Sequence, residues 1–185
     1  MKEIILASGS PRRKELMEML GFDFRVIVSD VEEVVDESLK PEEIVKSLAH
    51  QKALAVFNEH KDTLVIGSDT IVVADDKILG KPHSKLQAKE MMELLKNDKH
   101  QVMTAVSFIS DKEEKVICDK ATVHFNDIEL TEIEKYIETK EPYDKAGGYA
   151  IQGWAGKYIR AIEGNFYTIM GLPVDIVYQY LKDYE

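Results

Sequence analysis

Residues 3–17 read EIILASGSPRRKELM, and the fold turns on how the chain passes from the first half of this stretch to the second. EIILA (3–7) is a short β-rich apolar run of the kind that forms a buried strand. Ser10 then stands where a helix N-cap belongs. Pro11 takes the first helical position, where its missing N–H costs nothing. The spacing predicts a helix to about Met19 or Leu20, stopped by Gly21. A strand that ends in small residues and enters a helix leaves free backbone N–H groups at the turn, and the helix start adds partial positive charge. Such a turn can hold phosphate. Arg12 and Arg13 occupy the first helical turn, the end at which the helix dipole disfavours cations. Either an anionic ligand offsets that cost, or the two are solvated surface residues. The turn is not a Walker A loop, because GxxxxGK[ST] is missing.

Outward from this point the pattern continues as mixed α and β. FDFRVIVSD (22–30) is strand-like, and Lys40-Pro41 opens a helix to about Asn58. TLVIGSDTIVVADD (63–76) is the most β-like stretch and is expected to break at Gly67-Ser68-Asp69. KILGKPHS (77–84) reads as a loop, with Ser84 capping a helix to about Lys96. Residues 100–110 and 114–128 read as strands, and 156–170 as a hairpin turning at Gly164-Asn165. Thr131 with Glu134 forms a capping-box pattern for a helix to about Thr139. LPVDIVYQYLKDY (172–184) closes the chain as an amphipathic helix. No internal repeat or linker interrupts the order, so a single domain over 1–185 is expected, of α/β (α+β) class with a mixed sheet flanked by helices.

The chain has 185 residues, 44% of them hydrophobic, enough for a proper core. Twenty-four Lys and Arg against 34 Asp and Glu give a net charge of −10, which argues against coating nucleic acid by bulk charge and leaves room for a small anion in a local basic cleft. The single cysteine, Cys118, excludes an internal disulfide and a cysteine metal cluster, and reads as a small core residue. No apolar run reaches membrane-spanning length, and the first residues do not match a secretory signal. A soluble cytoplasmic protein is expected.

Several side chains are placed where chemistry could use them. Glu32 and Glu33 follow a strand and could hold a hard divalent cation or orient a water, or simply be solvated. In the helix 41–58, an apolar arc runs through Ile44, Val45, Leu48, Ala49, Ala55 and Val56, and Lys52 falls near its middle. A lysine there either snorkels out at a rim or points into a polar cavity. Asp69, flanked by apolar runs, needs a cation, a metal or a proton if it is part buried; as a plain turn residue it would need none. Lys81, before Pro82, is a phosphate contact or an exposed lysine. In EPYDKAGGYAIQG (141–153) glycines permit close backbone approach, and Gln152 offers both donor and acceptor, the kit for reading a base edge. The five histidines, His50, His60, His83, His100 and His124, lack metal-ligand spacing and read as surface or structural residues. Taken together, two arginines, two lysines, carboxylates and an amide are what hydrolysis of a nucleoside triphosphate would require.

Beyond these residues, the blocks LASGSPRRKELM (6–17), Glu32-Glu33, AHQKA (49–53), VIGSDTIV (65–72), LGKP (79–82), VMTAVS (102–107), YIETKEPYDKAGGYAIQG (136–153) and MGLPV (170–174) resemble the Maf family of nucleotide pyrophosphatases, in the family's order and over nearly the whole chain. The resemblance implies a mixed sheet between helices, two lobes around a nucleotide cleft and an ITPase-like fold. It also implies hydrolysis of nucleoside triphosphates to the monophosphate and pyrophosphate with a divalent metal, Mg²⁺ or Mn²⁺, a house-cleaning role, a link with septum formation, and a possible homodimer. Asp69 matches the family's proton acceptor. Ser8, Arg12, Arg13, Glu33, Lys52 and Lys81 match its phosphate and metal cleft, with Glu33 and Asp69 as the metal residues. Arg12, Thr70 and Gln152 resemble the branch that acts on dTTP and UTP rather than the branch that prefers 7-methyl-GTP. Gly148 departs from the alanine more often expected there. Two other classes stay open at this point: a non-catalytic nucleotide sensor that regulates septum formation, which has no need of Glu33 and Asp69, and a structural partner protein without a ligand.

Overall fold

The computed structural model describes residues 2–184. In chain order the elements are β1 (Ile4–Ala7), α1 (Pro11–Glu18), β2 (Phe24–Val26), α2 (Pro41–Glu59), β3 (Leu64–Ala74), β4 (Lys77–Leu79), α3 (Lys85–Leu95), β5 (Lys99–Ile109), β6 (Glu114–Phe125), α4 (Leu130–Ile137), β7 (Ile159–Glu163), α5 (Phe166–Met170) and α6 (Val174–Asp183). Short 3-10 turns cover Glu141–Asp144, Ala146–Gly148 and Trp154–Tyr158. The strands form one mixed sheet in the order β2-β1-β3-β5-β6-β7, with β4 on β3. β1 is parallel to both β2 and β3, while β3–β4 and β6–β7 are antiparallel. This is the α/β class that the alternation of patterns predicts. Among the described residues no helix is long and apolar enough to cross a membrane.

The chain divides into two compact units, the first made of Met1–Thr70, Thr104–Asp119 and Met170–Glu185, the second of Ile71–Met103 and Lys120–Ile169. In the first, β1 is fully buried, and Ile5, Ala7, Ala53, Val56, Phe57, Val65 and Ile109 form one core cluster. In the second, α3, α4 and the 146–148 turn pack together, with Val72, Met92, Leu95, Val123, Phe125 and Tyr136 among the core residues.

Several local expectations are corrected. β3 runs unbroken through Gly67-Ser68-Asp69. The glycine there makes room for a helix, as described below, and does not end the strand. Residues 77–79 pair with β3 instead of looping out. Asp75 and Asp76, both at positive φ (47° and 58°), form the tight turn between them. The strand expected over 22–30 is confined to 24–26, because its neighbour β1 leaves the sheet after Ala7 to enter α1 and offers no further partner. The hairpin expected at Gly164-Asn165 is absent. Asn165 Oδ1 accepts the Tyr167 N–H at 2.9 Å and starts α5 where a returning strand was expected. The capping box at Thr131 is not formed: α4 begins at Leu130 after Glu129, and the Glu134 carboxylate pairs with Lys89 of α3 at 3.0 Å. Cys118 is half-buried on β6 and not in the core. On α2 the buried face is centred on Ala49 and Ala53, with Ala55 only half-buried.

Candidate active site

The turn from β1 into α1 forms as the sequence predicts. Ser10 caps the helix, accepting the Arg13 N–H at 3.5 Å, and Gly21 at φ 75° follows its end. Buried Ser8 accepts from Ser10 N–H at 3.2 Å and from Arg13 Nη1 at 3.4 Å. Arg13 is therefore not a solvated surface residue. Its Nε donates to the Gly171 carbonyl at 2.8 Å and its Nη2 to Thr70 Oγ1 at 3.0 Å. Three of the guanidinium's five N–H donors are thus held by the protein, and the other two keep a fixed direction in which to meet an anion. Burial pulls the Arg13 pKa below its ordinary value; Asp69 opposes that fall, Arg12 adds to it, and Glu33 opposes it. Arginine keeps its charge through such a shift. Arg12 is half-buried, and its side chain makes no hydrogen bond or ion pair among the described residues.

The second group of predicted residues meets through the contact of α2 with β3. A β-carbon on Gly67 would lie 2.5 Å from the Ala49 carbonyl oxygen and 2.8 Å from the Ala53 β-carbon. Only glycine on the strand, facing alanines on the helix, lets the two backbones come this close. Lys52 sits between those alanines in sequence. Asp69, two residues beyond Gly67, points to the same face of the strand. The Lys52 ammonium pairs with Asp69 Oδ1 and, at 3.1 Å, with Glu33 Oε1. The lysine and aspartate side chains are only 17% and 13% exposed, while Glu33 is 42% exposed. Of the two fates open to a lysine on an apolar arc, Lys52 takes the polar one. Asp69 is a strand residue with a cation beside it and not a turn residue. Ser68 and Thr70 face the other side of β3: Ser68 Oγ donates to the Gly171 carbonyl at 3.1 Å, and Thr70 Oγ1 lies 2.9 Å from Thr104 Oγ1.

Two carboxylates around one ammonium leave a net negative charge with free carboxylate oxygens, a donor set suited to a hard divalent cation. Among the described residues no three His, Cys, Asp or Glu side chains gather as a metal site. A cation held by Glu33 and Asp69 would complete its shell from phosphate oxygens and water, the usual habit of Mg²⁺.

Lys81 and Gln152 belong to the second unit. Lys81 is exposed between exposed Gly80 and buried Pro82, and this loop is tied down by the Gly147 N–H, which donates to the Gly80 carbonyl at 3.1 Å. Gln152 is exposed in a turn whose far side rests on Glu141: its Oε1 accepts the Trp154 N–H at 2.9 Å and lies 2.0 Å from where a β-carbon on Gly153 would be. Tyr136 braces the same segment, donating to the Gly148 carbonyl at 2.9 Å and stacking on Trp154 at 4.3 Å. Gly171, Ser68, Thr104 and Glu141 carry no functional motif of their own. Only the Gly-Leu-Pro string at 171–173 carries a signal, a glycine before an extended Leu-Pro pair, realised as φ 108° at Gly171.

A family model described as Maf-like protein matches residues 3–184. The dTTP/UTP pyrophosphatase of Bacillus anthracis is 45% identical over 184 residues, covering 100% of this chain and 96% of the relative. That of Bacillus cytotoxicus is 44% identical over 185 residues, covering 100% and 97%. Among solved structures, the Staphylococcus aureus Ham1 protein shares the fold, with a TM-score of 0.54 at 16% identity over 98% of each chain.

Proposed function

We propose that this chain, which belongs to the Maf family, hydrolyses dTTP and UTP to the nucleoside monophosphate and pyrophosphate. The observation that carries the reading is the joining of Lys52 to both Asp69 and Glu33 on the α2–β3 contact, with Arg13 within the electrostatic reach of both acids. Full-length similarity to relatives of that activity supports the choice of reaction and substrate.

In this reading the triphosphate lies at the start of α1. Arg13, already oriented by Ser8, Thr70 and Gly171, offers its two remaining donors, and Arg12 and Lys81 add positive charge. The carboxylate of Asp69 takes a proton from a water; the oxygen attacks the α-phosphorus, the bond to the bridging α–β oxygen breaks, and pyrophosphate leaves. Lys52, paired with Asp69, holds its carboxylate in orientation for that step. Glu33 and Asp69 would hold Mg²⁺ or Mn²⁺, which when bound withdraws charge from phosphate oxygens. Thr70 and Gln152 read the pyrimidine edge, Gln152 through its amide. The triphosphate pool it would act on is cytoplasmic.

The test is a substrate panel of purified protein with common nucleoside triphosphates, with Mg²⁺ and with Mn²⁺, read as pyrophosphate release and by nucleotide chromatography. The expected result is dTMP and UMP with pyrophosphate, and much slower turnover of purine nucleotides. Release of orthophosphate, or no turnover of dTTP and UTP, contradicts the proposal.

A further inference from the structure

The segment 27–40 carries Glu33 but contains no helix or strand, and it is exposed along most of its length, with Val34 70% exposed. The Glu33–Lys52 ion pair cannot by itself fix such a segment, because a pair with a 42% exposed partner is weakened by solvent. A second contact does fix it. Gln51 Oε1 accepts the Val34 N–H at 2.9 Å, and Gln51 Nε2 donates to the Val34 carbonyl at 2.9 Å. The carboxamide thus meets both backbone groups of Val34, as a neighbouring strand would. It is itself oriented by Ser47 one turn earlier on α2, whose Oγ accepts from Gln51 Nε2 at 3.0 Å.

Gln51 and Lys52 are consecutive on α2, and Val34 and Glu33 are consecutive on the loop. One pair joins backbone to side chain, the other side chain to side chain. We infer that Gln51 is a positioning residue: by clamping the Val34 backbone it holds the Glu33 carboxylate beside Lys52 and Asp69, so that the acidic pair is assembled before substrate or cation arrives. Without the clamp the loop would have to be ordered at each turnover, at an entropic cost. The inference rests on the role given to Glu33 above.

The test uses Q51M, which keeps the length and loses both hydrogen bonds, and Q51E, which keeps the acceptor for the Val34 N–H and loses the donor. By NMR hydrogen exchange the Val34 amide exchanges about tenfold faster in Q51M, the scale set by the loss of such bonds, with Q51E between it and wild type. Core amides of Ile5 and Ile66 serve as the reference for global opening; if Q51M speeds these too, Q51E is the variant read. Calorimetric titration with Mn²⁺ alone shows affinity reduced about tenfold in Q51M, and turnover of dTTP recovers as Mn²⁺ is raised. In a double-mutant cycle Q51M adds less than about twofold to the loss caused by E33Q. Unchanged Val34 exchange overturns the inference, as does a Q51M effect equally large in the E33Q background. An E33Q protein with wild-type turnover sinks the role of Glu33 and this inference with it, whereas loss in E33Q with wild-type behaviour in Q51M sinks the inference alone.

Discussion

Gly67→Ala tests the link between packing and chemistry. The new β-carbon would meet the Ala49 carbonyl at 2.5 Å and the Ala53 β-carbon at 2.8 Å, where ordinary contact begins near 3.4 Å. The first contact is short by about 0.9 Å, and a backbone carbonyl cannot swing aside as a side-chain tip can. α2 must therefore move away from β3 by most of that distance, and Lys52 moves with it. Overpacking of this kind costs about 1–3 kcal/mol, a fall in Tm of about 5 °C for a chain of this size. Displacing a catalytic group by about 1 Å can cost about 100-fold in rate. Urea or thermal unfolding and kcat/KM for dTTP measure the two effects. Adding Ala53→Gly relieves the second contact but not the first, so rescue is incomplete. Gly80→Ala is the control, since nothing lies within 4 Å of a β-carbon there, and it leaves stability unchanged. A G67A protein with wild-type Tm and wild-type kcat/KM would show that the close approach of α2 to β3 at Gly67 does not set the place of Lys52.

Three further outcomes are expected. Asp69→Asn lowers kcat for dTTP by at least about 100-fold, the scale of a lost general base, without unfolding the protein; kinetics paired with circular dichroism check this, and undiminished turnover removes Asp69 from its role. Gln152→Glu changes the ratio of kcat/KM between pyrimidine and purine triphosphates, and an unchanged ratio shows that this amide does not choose the base. His100, only 3% exposed and set against Tyr149 and Phe125, has its pKa lowered by burial from 6.5 to about 4. The unfolded chain therefore takes up that proton first as pH falls, and stability present above pH 6.5 declines between about 6.5 and 4 by about 3 kcal/mol. Urea unfolding at a series of pH values shows this slope in wild type and its loss in His100→Phe; equal slopes contradict it.

How much of this was legible in the sequence depends on how local each signal is. The strand–cap–Pro–Arg–Arg string is local, and it gave both the β1–α1 turn and the reason to suspect Arg13. That Arg13 is fastened by the carbonyl of Gly171, 158 residues later, leaves no mark at Arg13, and the Gly-Leu-Pro string marks a backbone turn and not its partner. The place of Lys52 on an apolar arc followed from helical periodicity. The same glycine that made β3 look broken is what lets the helix close on the strand and bring Lys52 to Asp69, so the propensity signal pointed the wrong way where tertiary packing used it. The second half of 156–170 has strand-like residues, but the Asn165 side chain starts a helix there. Gln51 and Glu141 act on backbone groups, and a residue whose partner is backbone has no complementary side chain by which sequence could reveal it.

In the proposed reaction water attacks the α-phosphorus. Hydrolysis of dTTP in oxygen-18 water, with the products separated and weighed by mass spectrometry, tests it directly. Attack at that phosphorus puts a single heavy oxygen in dTMP and none in pyrophosphate. Label in pyrophosphate, or its appearance in orthophosphate beside dTDP, would contradict it.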